Sequence, residues 1–123
     1  MQDALLNSLI YVSRYYGLAN SPEALVNGLP LSDGKLTPFL FPRAAERAGL
    51  VAKENRSTLD KIPHLILPAI LLLKNGGSCV LNSVNIEKQE VEVTTAESGM
   101  VPINIPLSEL KDQYIGRYFL VKK

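Results

Sequence analysis

Apolar residues recur at helical spacing in the first part of this chain and alternate with polar ones in the second. Leu5, Leu6, Leu9, Ile10 and Val12 mark one side of a predicted helix, with Asn7, Ser13 and Arg14 on its other faces. Gly17 supplies its stop, because glycine tolerates the left-handed conformation that ends helices. Ser21-Pro22-Glu23-Ala24 reads as a cap, a first-turn proline and an acidic first turn, opening a short helix through about Asn27. Gly28-Leu29-Pro30 breaks it. A third helix is expected from Thr37-Pro38 to Gly49, burying Leu40, Phe41, Ala44, Ala45 and Ala48 and exposing Arg43, Glu46 and Arg47. Pro42 is expected to remove one early hydrogen bond and bend the first turn.

After Leu50 the period changes. Val51 to Glu54 reads as a short edge strand, and Thr58 to Ile62 as one helical turn. Strands are predicted over Ala69 to Leu73, Cys79 to Val84, Gln89 to Thr94 and Val101 to Ile105. In the third of these, Val91 and Val93 share one face while Glu90, Glu92 and Thr94 take the other. Asn75-Gly76-Gly77 and Glu87-Lys88 are the hairpin turns. Ser108-Glu109-Leu110 falls in a last short helix, and Tyr118 to Val121 closes as a strand. The run from Leu65 to Leu73 reads as a central strand with its approach, so it belongs to the core. With no repeat, linker or low-complexity tract, residues 1–123 are expected to form one α+β domain.

Composition narrows the function. The 123 residues suffice to bury about 65–70% of the surface that the unfolded chain exposes. Hydrophobic content of 46% and charge of 20% are ordinary for a folded domain. A net charge of +1 leaves no electrostatic footprint for nucleic acid or acidic lipid. The longest apolar run is too short, and carries Pro68, for a span that needs about 20 residues. No basic stretch marks a secretory signal, so no membrane insertion by this domain is expected. A single cysteine forms no internal disulfide.

Asp3-Ala4, followed by an amphipathic helix and Tyr15-Tyr16-Gly17, resembles the opening of a bacterial leader-cleaving cysteine peptidase domain, which begins with Asp-Cys. Leu67-Pro68-Ala69-Ile70 resembles the strand that enters that family's catalytic half. The stretch from Leu36 to Leu50 is similar to one that recurs in the exporters of large RTX adhesins. The ordered set runs from Asp3 to Val121. It resembles the inactive peptidase-C39-like N-terminal domain of type I secretion ABC exporters. The resemblance implies a papain-like α+β fold, with helices at the N-terminus packed on an antiparallel sheet of about five or six strands.

It also implies what each position has lost. The nucleophilic cysteine falls on Ala4, and a methyl group attacks no peptide bond. The histidine falls on Gly77, or on Ser78 if the register slips by one. The aspartate falls on Thr95, in the turn Thr95-Ala96-Glu97-Ser98-Gly99. The oxyanion glutamine would precede Met1, so Gln2 is not its counterpart. Domains of this kind hold an unfolded RTX-type substrate without cleaving it, at the cytoplasmic side of the bacterial inner membrane. The parent exporter would bind ATP and Mg in a separate nucleotide-binding domain and work with a membrane-fusion protein and an outer-membrane channel. No cofactor or metal is expected in this domain.

Candidate substrate contacts are Asn7, Tyr11, Tyr15, Phe39, Asn75 and Ser78. Tyr11, Tyr15 and Tyr16 read either as closing the core around the first helix or as an aromatic ledge for an extended chain. Phe41 is expected inside and Phe39 outside. Two functions of other classes remain open. One is a cysteine peptidase using Cys79 with His64, although Cys79 lies in a strand where a thiol acts as a small hydrophobe. The other is a winged helix spanning Ser21 to Leu50, whose recognition helix would offer Phe39, Leu40 and Phe41 where base edges need polar groups.

Overall fold

The computed structural model describes residues 3–95 and 98–123. Helix α1 (Ala4–Tyr15) starts at the N-cap Asp3, whose side chain accepts from the Leu6 amide at 3.2 Å. It ends as a Schellman turn: Gly17, at φ 77°, donates to Arg14 and Leu18 donates to Ser13. Helix α2 (Pro22–Val26) is capped by Ser21, whose hydroxyl accepts from Ala24. Helix α3 (Phe41–Arg47) closes as α1 does, with Gly49 at φ 89° donating to Glu46 and Leu50 donating to Ala45. Only glycine takes these positive φ values without strain, which is why both stops were readable.

The third helix is shorter than the apolar spacing predicts. Residues Thr37 to Leu40 form a turn instead, with Leu40 donating to the Thr37 carbonyl. A helix begun at Thr37 would need an amide on Pro42 to reach Pro38, and proline has none. Starting at Phe41 puts Pro42 in the first turn, where a helical amide has no partner anyway. Pro42 therefore removes no hydrogen bond. The expected buried stripe is otherwise as read, with Leu40, Phe41, Ala44, Ala45 and Ala48 all buried.

Six strands follow: β1 (Val51–Arg56), β2 (Ala69–Leu73), β3 (Ser78–Asn85), β4 (Glu90–Thr94), β5 (Ile103–Pro106) and β6 (Tyr114–Lys122). They pair antiparallel throughout, in the order β1-β6-β2-β3-β4-β5. Strand β1 is an edge strand, as expected. Single 3-10 turns at Leu59–Lys61 and His64–Ile66 lead into β2, and helix α4 (Leu107–Gln113) joins β5 to β6. Strand β6 is much longer than the expected Tyr118 to Val121. Its first half holds Gly116 and Arg117, which weaken the local signal, and pairing with β1 from Arg56 onward supplies what propensity does not.

Alternation sorts the sheet into two faces. Ile70, Leu72, Val80, Phe119 and Val121 point to one face, where Leu5, Leu9 and Val12 of α1 and Phe41 and Ala44 of α3 cover them. The Phe41 and Phe119 rings stack with centroids 4.4 Å apart. On the opposite face Ala69, Leu71, Cys79, Leu81, Val91 and Val93 pack under Ile62, Leu110 and Tyr118. Leu65 does not join either cluster; it is 99% exposed on the turn before β2. The turn must project one residue outward to bring Ile66 and Leu67 against the second cluster. Replacing Phe119 by Ala should cost about 3–5 kcal/mol, seen as a lower urea midpoint with the slope unchanged.

Candidate functional site

Helix α1 begins at a fixed point. One Asp3 carboxylate oxygen caps Leu6, and the other accepts from the Leu36 amide at 2.8 Å. The same side chain thus anchors the start of α1 and the extended segment before α3. Ala4, the first helical residue, is half-buried beside this anchor and carries only a methyl group. One turn further on, the buried Ser8 hydroxyl meets the Ser78 hydroxyl at 2.9 Å. That bond clamps α1 to the first residue of β3, and both hydroxyls are out of water, so each depends on the other for satisfaction.

A cavity of about 280 Å³ lies on the α1 face, at the end of the sheet where α1 starts. Leu5, Leu36, Pro38 and Leu72 form its apolar part, and Lys74, Asn75, Gly76 and Gly77 of the β2–β3 turn form one wall. Asn75 and Gly76 turn the chain with φ of 60° and 73°. Ile115 and Arg117 of β6 complete it. Arg117 is held by Glu54 across two contacts of 2.6 and 3.1 Å. The hydrogen bond to Arg117, then its charge, holds the Glu54 carboxyl below its ordinary 4.5 against the opposing effect of burial.

The second face carries the thiol. Cys79 is 1% exposed and burial pushes its pKa up to about 12, so it stays protonated and shielded. It lines a cavity of about 230 Å³ with Thr95, Val93, Ile105 and Leu110. His64 is exposed and borders a different, smaller hollow with Leu81, Val84 and Ile86. No hydrogen bond joins Cys79 to His64 among the described residues. Thr95 itself is engaged in its own turn, where its hydroxyl accepts from the Ser98 amide at 3.0 Å.

A solved structure has this same arrangement of elements. The N-terminal peptidase C39 like domain of the toxin secretion ATP-binding protein from Vibrio parahaemolyticus is 81% identical, with a TM-score of 0.98. The match covers 100% of this chain and 98% of that one. The chain belongs to the peptidase C39-like domains of toxin secretion ATP-binding proteins. No family model matches it. Among curated relatives, the cyclolysin secretion/processing ATP-binding protein of Bordetella pertussis is 28% identical over 118 residues. The toxin RTX-I translocation ATP-binding protein of Actinobacillus pleuropneumoniae is 24% identical over 120 residues. These matches cover 96% and 98% of this chain but 16% and 17% of those proteins, so the chain spans about a sixth of their length. A double glycine motif protease from an AMS/PCAT transporter, solved with its leader peptide, shares the fold at 20% identity and a TM-score of 0.78. It matches 96% of this chain and 82% of its own.

Within this peptidase C39-like fold, the positions expected to mark the lost triad share one end of the sheet. The pairing of Leu72 with Ser78 and of Val80 with Thr94 puts the start of β3 and the end of β4 together there. They do not share one hollow. Gly77 lines the α1-face cavity, Thr95 lines the cavity on the opposite face, and Ala4 lines neither. Ser78, not Gly77, aims its side chain at α1, as its bond to Ser8 demonstrates. Ala96, Glu97 and Gln2 lie outside the described residues.

The expected contact residues scatter. Asn75 lines the α1-face cavity, and Phe39, next to the lining Pro38, is 90% exposed. Phe41 is inside, as read. Ser78 is buried against Ser8, which makes it a clamp within the fold. Asn7, Tyr11 and Tyr15 fall on one flank of α1 by helical spacing. Tyr11 is half-buried against the core and Tyr15 is exposed, edge-on to Tyr16. Tyr16 takes the core-closing role, donating from its hydroxyl to the Val121 carbonyl at 3.0 Å. Tyr15 sits ~16 Å along the helix axis from Ala4, at the end away from the cavity.

Leu5, Leu36, Lys74, Ile115 and Arg117 were missed as lining residues. The sequence signal for two of them was the alternation Ile115, Arg117, Phe119, Val121, which extends the last strand backward onto the α1 face.

Two consequences are measurable. Glu54 has a folded pKa below its unfolded value, so its pair with Arg117 stabilises fully above about pH 4.5 and is lost as pH falls through the folded pKa. Wild type should therefore exceed Glu54→Gln in Tm at pH 7, with the gap closing towards pH 3. Cys79 should resist a thiol reagent in the native domain and react promptly in urea, followed by absorbance of the released chromophore.

Proposed function

We propose that this domain holds an unfolded RTX-type secretion substrate without cleaving it. The observation that carries the reading is Ala4 at the start of α1, where the family resemblance places the nucleophile, with the chain's one thiol buried on the other face of the sheet. A protonated, shielded Cys79 with no imidazole bonded to it is a poor nucleophile, which argues against the cysteine-peptidase alternative. The six-stranded antiparallel sheet argues against a winged helix, as does the burial of Leu40 and Phe41, which a recognition helix would present.

The double glycine motif protease, of the same fold, is in complex with a leader peptide, and contacts to a peptide outlast the loss of a nucleophile. On this reading the domain stands at the cytoplasmic side of the inner membrane. The longer exporter carries ATP and Mg in its nucleotide-binding domain and meets a membrane-fusion protein and an outer-membrane channel. No helix among the described residues is long and apolar enough to cross a membrane.

Binding should be weak, in the micromolar range, because ordering a flexible chain costs about 2–5 kcal/mol of the contact energy. NMR titration of the labelled domain with the unfolded C-terminal portion of the co-encoded secreted protein tests the reading. Shifts should gather on α1 and on the hairpin from Asn75 to Leu81, and the added protein should remain intact on a gel. Absence of shifts at high concentration refutes substrate holding; cleavage that alkylation abolishes refutes the non-enzymatic assignment.

A further inference from the structure

We propose that Asn75-Gly76, on the wall of the α1-face cavity, is a site of spontaneous backbone modification, where the asparagine side chain closes on the glycine nitrogen and water then converts it to aspartate and isoaspartate. Asparagine is among the chemically labile residues of proteins, and the fold decides which one reacts. The modification is independent of substrate holding, and mass reports it.

The chain has two Asn-Gly pairs, Asn27-Gly28 and Asn75-Gly76. Glycine after asparagine matters because it has no Cβ to hinder the approach of its nitrogen to the side-chain carbon. Structure separates the two pairs. The peptide after Asn27 is pinned: the Asn27 carbonyl accepts from Arg47, and the Asn27 amide donates to Glu23 at 2.9 Å. Turning that peptide towards the side chain breaks the Arg47 bond. The peptide after Asn75 is held at neither end, since the Asn75 carbonyl and the Gly76 amide make no hydrogen bond among the described residues. Asn75 causes this itself, because its φ of 60° and ψ of 32° leave the helical path inside the 3-10 turn. In the two earlier 3-10 turns Lys61 and Ile66 donate three residues back; Gly76 lacks that bond. Asn75 and Gly76 are exposed, and the Asn75 side chain has no hydrogen-bond partner. By contrast, Asn20 and Asn82 donate their side-chain amides to the Ala48 carbonyl and the Thr94 hydroxyl, and each precedes serine.

The chemistry needs only hydroxide and water. The Gly76 amide loses its proton to hydroxide, and its nitrogen forms a bond to the Asn75 Cγ. The side-chain nitrogen takes a proton and leaves as ammonia, so a cyclic imide remains. Water then breaks either ring C–N bond. Opening at Cγ gives aspartate on an intact backbone; opening at the backbone carbonyl carbon gives isoaspartate, with the chain running through the side chain. Both products place a carboxylate on the cavity wall beside Lys74 and remove the chain's net charge of +1. Isoaspartate also lengthens the hairpin. Its closing bond, from Leu73 to Gly77 at 2.8 Å, adjoins the Leu72–Ser78 pair and the Ser8 clamp. Amides at Leu73 and Gly77 should therefore exchange faster in the isoaspartate form.

The Vibrio parahaemolyticus relative was crystallised as this domain alone, so the isolated domain is a proper object for the test. It is incubated in mildly alkaline heavy-oxygen water, digested in ordinary water and mapped by mass spectrometry. Heavy oxygen then marks only what happened before digestion. The peptide carrying Asn75 should gain the mass of amide-to-acid conversion with one heavy oxygen. It should separate into aspartate and isoaspartate forms and appear faster as pH rises. Conversion at Asn27 should be several-fold slower in the folded domain. In urea the two pairs should convert at similar rates, and Arg47→Ala should bring Asn27 towards the rate of Asn75 without unfolding. Asn75→Gly, whose glycine accepts φ of 60°, should abolish the Asn75 product and leave the spectrum of the fold unchanged.

Equal conversion of the two pairs in the folded domain overturns the inference, and so does faster conversion at Asn27. Conversion of Asn75 in urea alone overturns it as well, because the fold then protects the site. Aspartate formed without isoaspartate excludes the imide route. Acid at Asn75 without heavy oxygen belongs to the digestion and leaves the folded domain unmodified, which also refutes the assignment.

Discussion

Strand β2 sets the terms for the whole molecule. Ala69, Ile70, Leu71 and Leu72 are all buried, so the strand exposes apolar side chains to both sides of the sheet and each side must be covered. The chain solves the two sides unequally. Helices α1 and α3 shield one face with leucine, valine, alanine and phenylalanine, while single turns and the seven-residue α4 shield the other. The heavier layer yields a continuous core with a cavity at its margin. The lighter one leaves hollows beside Ile103 and Ile86, lined by the same residues that bury Cys79 and Leu81.

The margin of the heavier layer is where function is proposed, and its rigidity has local causes. Asp3 and the Ser8–Ser78 pair lock the start of α1 to the Leu36 segment and to β3. In a peptidase such precision would serve a nucleophile at the helix start. Here the first residue of α1 is Ala4, which carries only a methyl group, and the same bonds hold an apolar floor. On the proposed reading the chemistry has shifted from breaking a bond to ordering a chain. That task needs shape, an apolar anchor and a modest charge rather than a tuned pKa. The one strongly displaced cysteine pKa belongs to packing, since burial alone causes it.

Gly17 and Gly49 were legible as stops because a positive φ is a demand that few side chains meet. Val91 and Val93 were legible because alternation has only one meaning in a half-covered strand. The start of α3 was misread because apolar spacing ignores a missing amide at Pro42. The beginning of β6 was missed because its pairing partner lies some sixty residues earlier, and no window along the chain contains both. The apolar run from Leu65 to Leu73 reads as core throughout, whereas the turn that Leu65 occupies points it into water. Gly77 and Thr95 come from opposite ends of the β3–β4 stretch, and only the sheet order shows that they line different cavities.

What the sequence determined by itself was local: helix stops, caps, strand periods, the absence of a reactive group at Ala4, and the ordered motifs that carry the family. Those are properties of short windows, where backbone sterics and side-chain period decide the outcome. Only the tertiary structure decided which residues became neighbours. It brought Leu5, Leu36, Lys74 and Ile115 from four separate segments to one cavity, and sent Cys79 and Ser78, adjacent in sequence, to opposite faces. The reason is the antiparallel register, which is settled by burying both faces of β2 at once and leaves no trace in any single segment.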